Sequence, residues 1–131
     1  MLESTGTLSF KEAKEAFEQL YKTSTPSRQF VLRLYILYSF NDQYGRAGLK
    51  YLLDSEDYLF FKENCLELIK MRKTIPTLKA ELYREIGEFE KCISYLDSLK
   101  PAKGFEEQVR FQIRLMALLE RSEVFQLIPC A

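Results

Sequence analysis

The sequence contains no histidine and no tryptophan. The first absence weighs most on function. It removes Ser-His-Asp and Cys-His nucleophilic sites, histidine-ligated metals and the commonest general base. Glycine is scarce, with five residues, and no Gly-rich phosphate loop can be assembled from them. The one glycine-paired stretch, "YGRAG" from Tyr44 to Gly48, lacks the spacing and the preceding strand that such a cradle needs. The three cysteines, Cys65, Cys92 and Cys130, form no CxxC pair and no zinc spacing. Cys65 and Cys92 fall in apolar helical patterns and are expected as small core residues. No run reaches the roughly 18 apolar residues of a membrane span. The opening "MLESTGTLSF" lacks the basic start and apolar core of a secretion signal.

Net charge is missing as well: 19 Lys and Arg balance 19 Asp and Glu. Phosphate contact needs a cationic excess, so a dedicated nucleic-acid binder is not indicated. The most basic run, "KMRK" from Lys70 to Lys73, reads as the cationic end of a helix. Pairs such as Glu106/Glu107 and Glu63/Glu67 sit at ordinary surface spacing, without the burial or perturbing neighbour that acid–base work requires. Together these readings lead us to expect a non-enzyme with no cofactor and no metal, which binds neither nucleic acid nor membrane. The odd cysteine count and the missing signal point to the cytoplasm.

What is present is globular. Hydrophobic residues make up 47%, charged residues 29% and aromatics 14% of 131 residues, which suits one domain over 1–131. Period-two alternation never holds between turn signals, whereas apolar residues recur at helical spacing throughout. Ser9 and Glu12 form a capping box for a helix carrying Phe10, Ala13, Phe17, Leu20 and Tyr21. Thr25 caps a second helix with Pro26 in its first turn, expected to stop at Asn41-Asp42. A third is expected over Tyr44–Leu53, a fourth after the acidic "DSED", a fifth from Pro76 to Ile86, a sixth over Glu88–Leu99, a seventh over Phe105–Arg121, and a short last one over Glu123–Ile128. The fold class is therefore all-α, with seven or eight helices joined by short connections and packed as antiparallel hairpins.

Ala80 to Leu96, "AELYREIGEFEKCISYL", carries the clearest internal pattern. Gly87 stands between two apolar-periodic runs, where a helix end calls for positive φ. Shifting the stretch back lays Tyr83 on Tyr38, Gly87 on Asp42 and Cys92 on Ala47. Shifting it forward lays Tyr83 on Leu118, Gly87 on Ser122 and Cys92 on Leu127. Tyr38, Tyr83, Phe89 and Cys92 are then expected to be mostly buried.

The stretch resembles a tetratricopeptide repeat in Ala80, Tyr83, Gly87, Phe89, Cys92 and Leu96. Lys79, Pro76 and Leu99 depart from the family's usual residue types, and the longer backward spacing leaves room for an inserted helix. The resemblance is to a degenerate tetratricopeptide-like α-solenoid. It implies stacked hairpins with a concave surface lined by Gln29–Phe40, Thr77–Glu85 and Gln108–Glu120. The positions of the family's carboxylate clamp carry Thr77, Glu81, Gln112 and Met116, so that clamp is not reproduced.

The function so implied is protein–protein interaction: an adaptor or scaffold receiving a peptide or helix from a protein partner. The alternative is a structural subunit of a larger helical assembly with no free groove. The apolar tail Val124, Phe125, Leu127 and Ile128 is expected either to cap the last hairpin or to offer a surface for self-association. The candidate partner-binding residues are Glu81, Arg84 and Glu85 on one helix and Arg110 and Arg114 on the next to stack. With Tyr83 pointing into its hairpin, Arg84 is expected at the concave side or its rim. There Arg84, Arg110 and Arg114 would fork an acidic segment, or Arg84 would simply pair with Glu81 or Glu88 on the surface.

Overall fold

A computed structural model describes residues 8–45 and 55–124. Among these residues there are six α-helices and no strand: α1 (Phe10–Leu20), α2 (Pro26–Tyr44), α3 (Glu56–Lys70), α4 (Pro76–Glu85), α5 (Phe89–Ser98) and α6 (Gly104–Leu118). A 3₁₀ turn at Tyr21–Thr23 follows α1. Most of the helix expected over Tyr44–Leu53, whose first residue instead ends α2, and most of the one expected over Glu123–Ile128 lie outside the described residues.

Local chemistry sets the helix starts. At α1 the capping box is complete: the Glu12 amide donates to Ser9 Oγ at 3.1 Å and the Ser9 amide to Glu12 Oε1 at 3.0 Å. Thr25 accepts from the Arg28 amide and Ser55 from the Tyr58 amide, capping α2 and α3. Glu56 and Asp57 occupy the first turn of α3, where the helix dipole favours anions.

The ends were harder to read. α2 does not stop at Asn41-Asp42; it continues to Tyr44. Tyr44 packs on Phe40 at 5.0 Å between ring centroids and on Phe10 at 6.4 Å. That packing outweighs the roughly 0.7 kcal/mol per residue that Asn and Asp cost in a helix interior. Asp42 is thus no counterpart of Gly87.

α4 and α6 end in the same backbone motif. Gly87 has φ 81°; its amide donates to the Arg84 carbonyl and the Glu88 amide to that of Tyr83. Glu120 has φ 54°; its amide donates to the Ala117 carbonyl and the Arg121 amide to that of Met116. Both are Schellman turns. The counterpart of Gly87 is therefore Glu120, not Ser122, and α6 ends earlier than expected because the turn, not the residue type, closes the helix.

Neighbouring helices pack in sequence order, and α4 also packs on α6. There are two buried cores. The first draws on α1, α2 and α3, with Leu82 and Ile86 from the end of α4. Its centre is aromatic: Phe40 stacks on Phe61 at 4.0 Å, and Phe10 meets Phe40 edge-on at 5.3 Å. The second is built from small residues, with Ala80, Cys92 and Ala117 beside Leu96 and Ile113. α4 supplies both cores, and its Ala80, Leu82, Arg84 and Glu85 are all buried.

Of the four residues expected to be buried, Cys92 is, while Tyr38, Tyr83 and Phe89 are half-buried at the core margins. Relative to the expected orientation, α4 is turned by about one residue, or about 100°. Arg84 takes the inward position and Tyr83 sits at the edge, 6.0 Å from Tyr95.

Candidate functional site

The five candidate residues do not form one patch. Arg84 and Glu85 lie inside the molecule, and Glu81, its side chain 18% exposed, lies at the edge beside them. Arg84 is 0% exposed, which overturns its expected place at a rim. Its guanidinium grips Glu81 with two bonds, Nε to Oε1 and Nη2 to Oε2, both 2.7 Å, and its Nη1 donates to the Arg121 carbonyl at 2.6 Å. Arg84 does pair with Glu81, but the pair is not a surface one. It ties α4 to the backbone just after α6. Burial alone would lower the guanidinium's pKa, yet the Glu81 hydrogen bonds and the charges of Glu81 and Glu85 carry it upward.

Glu85 is buried too, and its Oε1 has no hydrogen-bond partner among the described residues. Burial pushes its carboxyl well above the ordinary carboxylate range. Glu81 adds to the shift, while Arg84 and a hydrogen bond with Asn41 oppose it. Cys65 on α3 feels the same surroundings: burial first, then Glu85 and Glu81, raise its thiol well above the ordinary value. Cys92 on α5 is pushed up to about 11, mainly by burial. A guanidinium locked by three bonds and thiols held protonated make a structural joint, with no reactive group presented to solvent.

Arg110 and Arg114 remain at the surface, one turn apart on α6. Arg110 is held by three partners: Nε donates to Thr77 Oγ1 at 3.3 Å, Nη1 to the Lys100 carbonyl at 2.8 Å, and Nη2 to Glu106 Oε1 at 2.9 Å. Arg114 pairs with Asp97 of α5. Between the end of α5 and the first half of α6 lies a cleft of about 230 Å³. Lys100, Arg110 and Arg114 contribute its cations, Glu107 its one anion, and Leu99 and Phe111 apolar walls. The structure thus brings together two of the five candidates, adds Lys100, withdraws Arg84 and Glu85 into the interior and leaves Glu81 at the edge, paired to Arg84.

Another feature escaped the sequence reading. α6 is apolar on two opposite sides. Ile113 and Ala117 are buried against α4 and α5. Facing the other way, Phe111, Leu115 and Leu118 stand at spacings of four and three residues and are 64%, 46% and 61% exposed. Residues at such spacings share one helix face. The signal is in the sequence: "RFQIRLMALL" carries two interleaved apolar sets, and the repeat alignment, which lays Tyr83 on Leu118, draws on the outer one. The tail residue Val124, expected either to cap the last hairpin or to join a sticky surface, is seated against the end of α2. Its amide donates to the Gly45 carbonyl at 3.0 Å, and its Cγ2 would lie 2.6 Å from any Cβ at position 45, which accounts for that glycine. Phe125, Leu127 and Ile128 lie outside the described residues.

Among the described residues no three His, Cys, Asp or Glu side chains are grouped to hold a metal ion, and no helix is long and apolar enough to cross a membrane. Comparisons with protein-family models, with curated proteins and with solved structures found no match to this chain.

Proposed function

We propose that the chain is a non-catalytic, cytoplasmic protein–protein interaction module of tetratricopeptide-like, α-solenoid type. On this reading it docks an amphipathic helix of a protein partner along the outer face of α6, and the partner is neither nucleic acid nor membrane. The observation that carries it is the row Phe111, Leu115 and Leu118, exposed side by side on a helix whose opposite side is already packed. Three large apolar side chains on one face form a contiguous patch of the kind that marks interaction sites.

The occupant is read from the molecule's own pattern. α4 is the other helix with two apolar sides, one in each core, and helices cover both of them. α6 repeats that pattern and ends in the same Schellman turn, but among the described residues only its inner side is covered. A helix seated on the outer side would continue the packing series α4, α5, α6. From Phe111 to Leu118 the row extends about 11 Å along α6 at 1.5 Å per residue, two turns of apolar anchors at the spacing used in helix-in-groove recognition.

The test places a photo-crosslinking amino acid at position 115, or at the more exposed Leu59 on α3 as control, in the cells the protein comes from. The reading expects a single crosslinked protein at position 115, none at 59, and crosslinked peptides mapping to an apolar-faced helix of the partner. A crosslink to a second copy of this chain, or equal crosslinking at both positions, would overturn it.

A further inference from the structure

The row on α6 does not lie in a neutral setting. One turn around the helix from Phe111 is the cleft at the end of α5, and Phe111 forms part of its wall. Its lining carries three cations against one anion. Arg110 is presented rigidly: bonds to Thr77, the Lys100 carbonyl and Glu106 hold its guanidinium in place, so little side-chain entropy is left to lose on binding. Arg114 and Lys100 are less fixed. The partner of Arg114, Asp97, is 61% exposed, as is about half of Glu106, the partner of Arg110. Such exposed pairs are weak, and Asp97 on Arg114 can be exchanged for a better placed carboxylate.

From this juxtaposition we infer that the partner helix is acidic on one flank. Resting on the proposed helix-docking reading, the geometry has the apolar row of that helix sit on Phe111, Leu115 and Leu118, while an Asp or Glu one turn to the side enters the cleft between Lys100, Arg110 and Arg114. Arginine suits this role because its fork meets a carboxylate through two bonds. The apolar walls, Leu99 and Phe111, exclude water from the pair and strengthen it. The row supplies contact area, and the cleft decides register and selects against helices with a neutral or basic flank.

The experiment is a display selection of amphipathic helical peptides with randomised apolar and flanking positions, run on the full chain. The wild-type chain should return peptides with an apolar row and with Asp or Glu enriched at one flanking position. Their binding should weaken as salt is raised. The double variant Lys100→Gln/Arg114→Gln, first shown by circular dichroism to keep its helices, should return the same row without the acidic flank. It should also bind the wild-type peptides about tenfold more weakly, a loss of about 1.4 kcal/mol. A row without acidic enrichment on the wild-type chain would overturn the inference and leave helix docking standing. Peptides with no row, or peptides bound equally well by Leu115→Arg, would overturn the docking reading itself.

Discussion

The two cores of this molecule are built on opposite principles. The one around α1, α2 and α3 is filled by large rings, with Phe10, Phe40 and Phe61 in direct contact and Phe17 and Phe60 at 5.6 Å beside them. The one between α4, α5 and α6 is closed by small residues, Ala80, Cys92 and Ala117, that let helices approach. Rings contribute stability through contact area; small residues contribute it through close approach, and tolerate added volume poorly. A single helix, α4, serves both, and its Glu81–Arg84–Glu85 cluster lies where they meet. The lesson concerns charge: three charged residues in a row of five looked like a binding patch, yet they are the internal joint, while the surface suited to a partner is apolar.

Each part of that contrast can be broken separately. The largest effect belongs to Arg84→Ala, which strips the partly buried Glu81 of its buried counter-charge, removes the bond to the Arg121 carbonyl and should cost about 3–5 kcal/mol in urea unfolding. A loss below about 1 kcal/mol would place the pair at the surface after all. In the aromatic core, Phe61→Ala removes the ring stacked on Phe40 and should cost about 3–5 kcal/mol. In the other core the sensitive direction is reversed: Cys92→Leu should cost about 1–3 kcal/mol through overpacking. An unchanged denaturation midpoint for Cys92→Leu would show a loose core there.

Smaller effects sharpen the two helix ends. Gly87 has open space where a Cβ would lie, so Gly87→Ala should lose only the conformational term, about 1 kcal/mol. Glu120 holds the same left-handed turn with a side chain, and Glu120→Gly should therefore gain up to about 1 kcal/mol. Opposite signs for the two substitutions in thermal melts are the signature of one shared motif.

The joint also sets a pH dependence. Glu85 has its pKa raised on folding, so the folded state holds its proton more tightly than the unfolded chain does. Its stabilising contribution is full below the ordinary carboxylate value of 4.5 and declines as pH rises from there through the raised folded value. Glu85→Gln, neutral at every pH, should flatten that decline in urea titrations between acidic and alkaline buffers. An identical pH profile for the two proteins would show that Glu85 is not buried as a carboxylic acid.

The sequence revealed the helical class, because apolar spacing and three side-chain caps are local signals. It revealed the Gly87 turn for the same reason. It did not reveal the end of α2, which Tyr44 carries past Asn41-Asp42 by packing on rings distant in sequence. Nor did it reveal the rotation of α4. Tyr83 is the larger apolar residue and was the natural choice for the interior, but the bond from Arg84 to the Arg121 carbonyl forms only once α6 is in place. Of the candidate site, Arg110 and Arg114 kept their position. The outer row of α6 was not legible as a surface, because Leu118 matched Tyr83 in the repeat alignment, and telling two apolar stripes apart requires knowing which one the core uses.

The division between joint and docking face is tested most directly by the binding isotherm of a selected helical peptide on Leu115→Arg. Leu115 touches neither core, so the variant should melt with the wild-type chain, within the few tenths of a kcal/mol usual for surface changes. A cation set in the middle of the apolar row should weaken peptide binding by at least about tenfold. Undiminished binding, or a melt lowered as a core substitution would lower it, would contradict the assignment of α6's outer face as the docking surface.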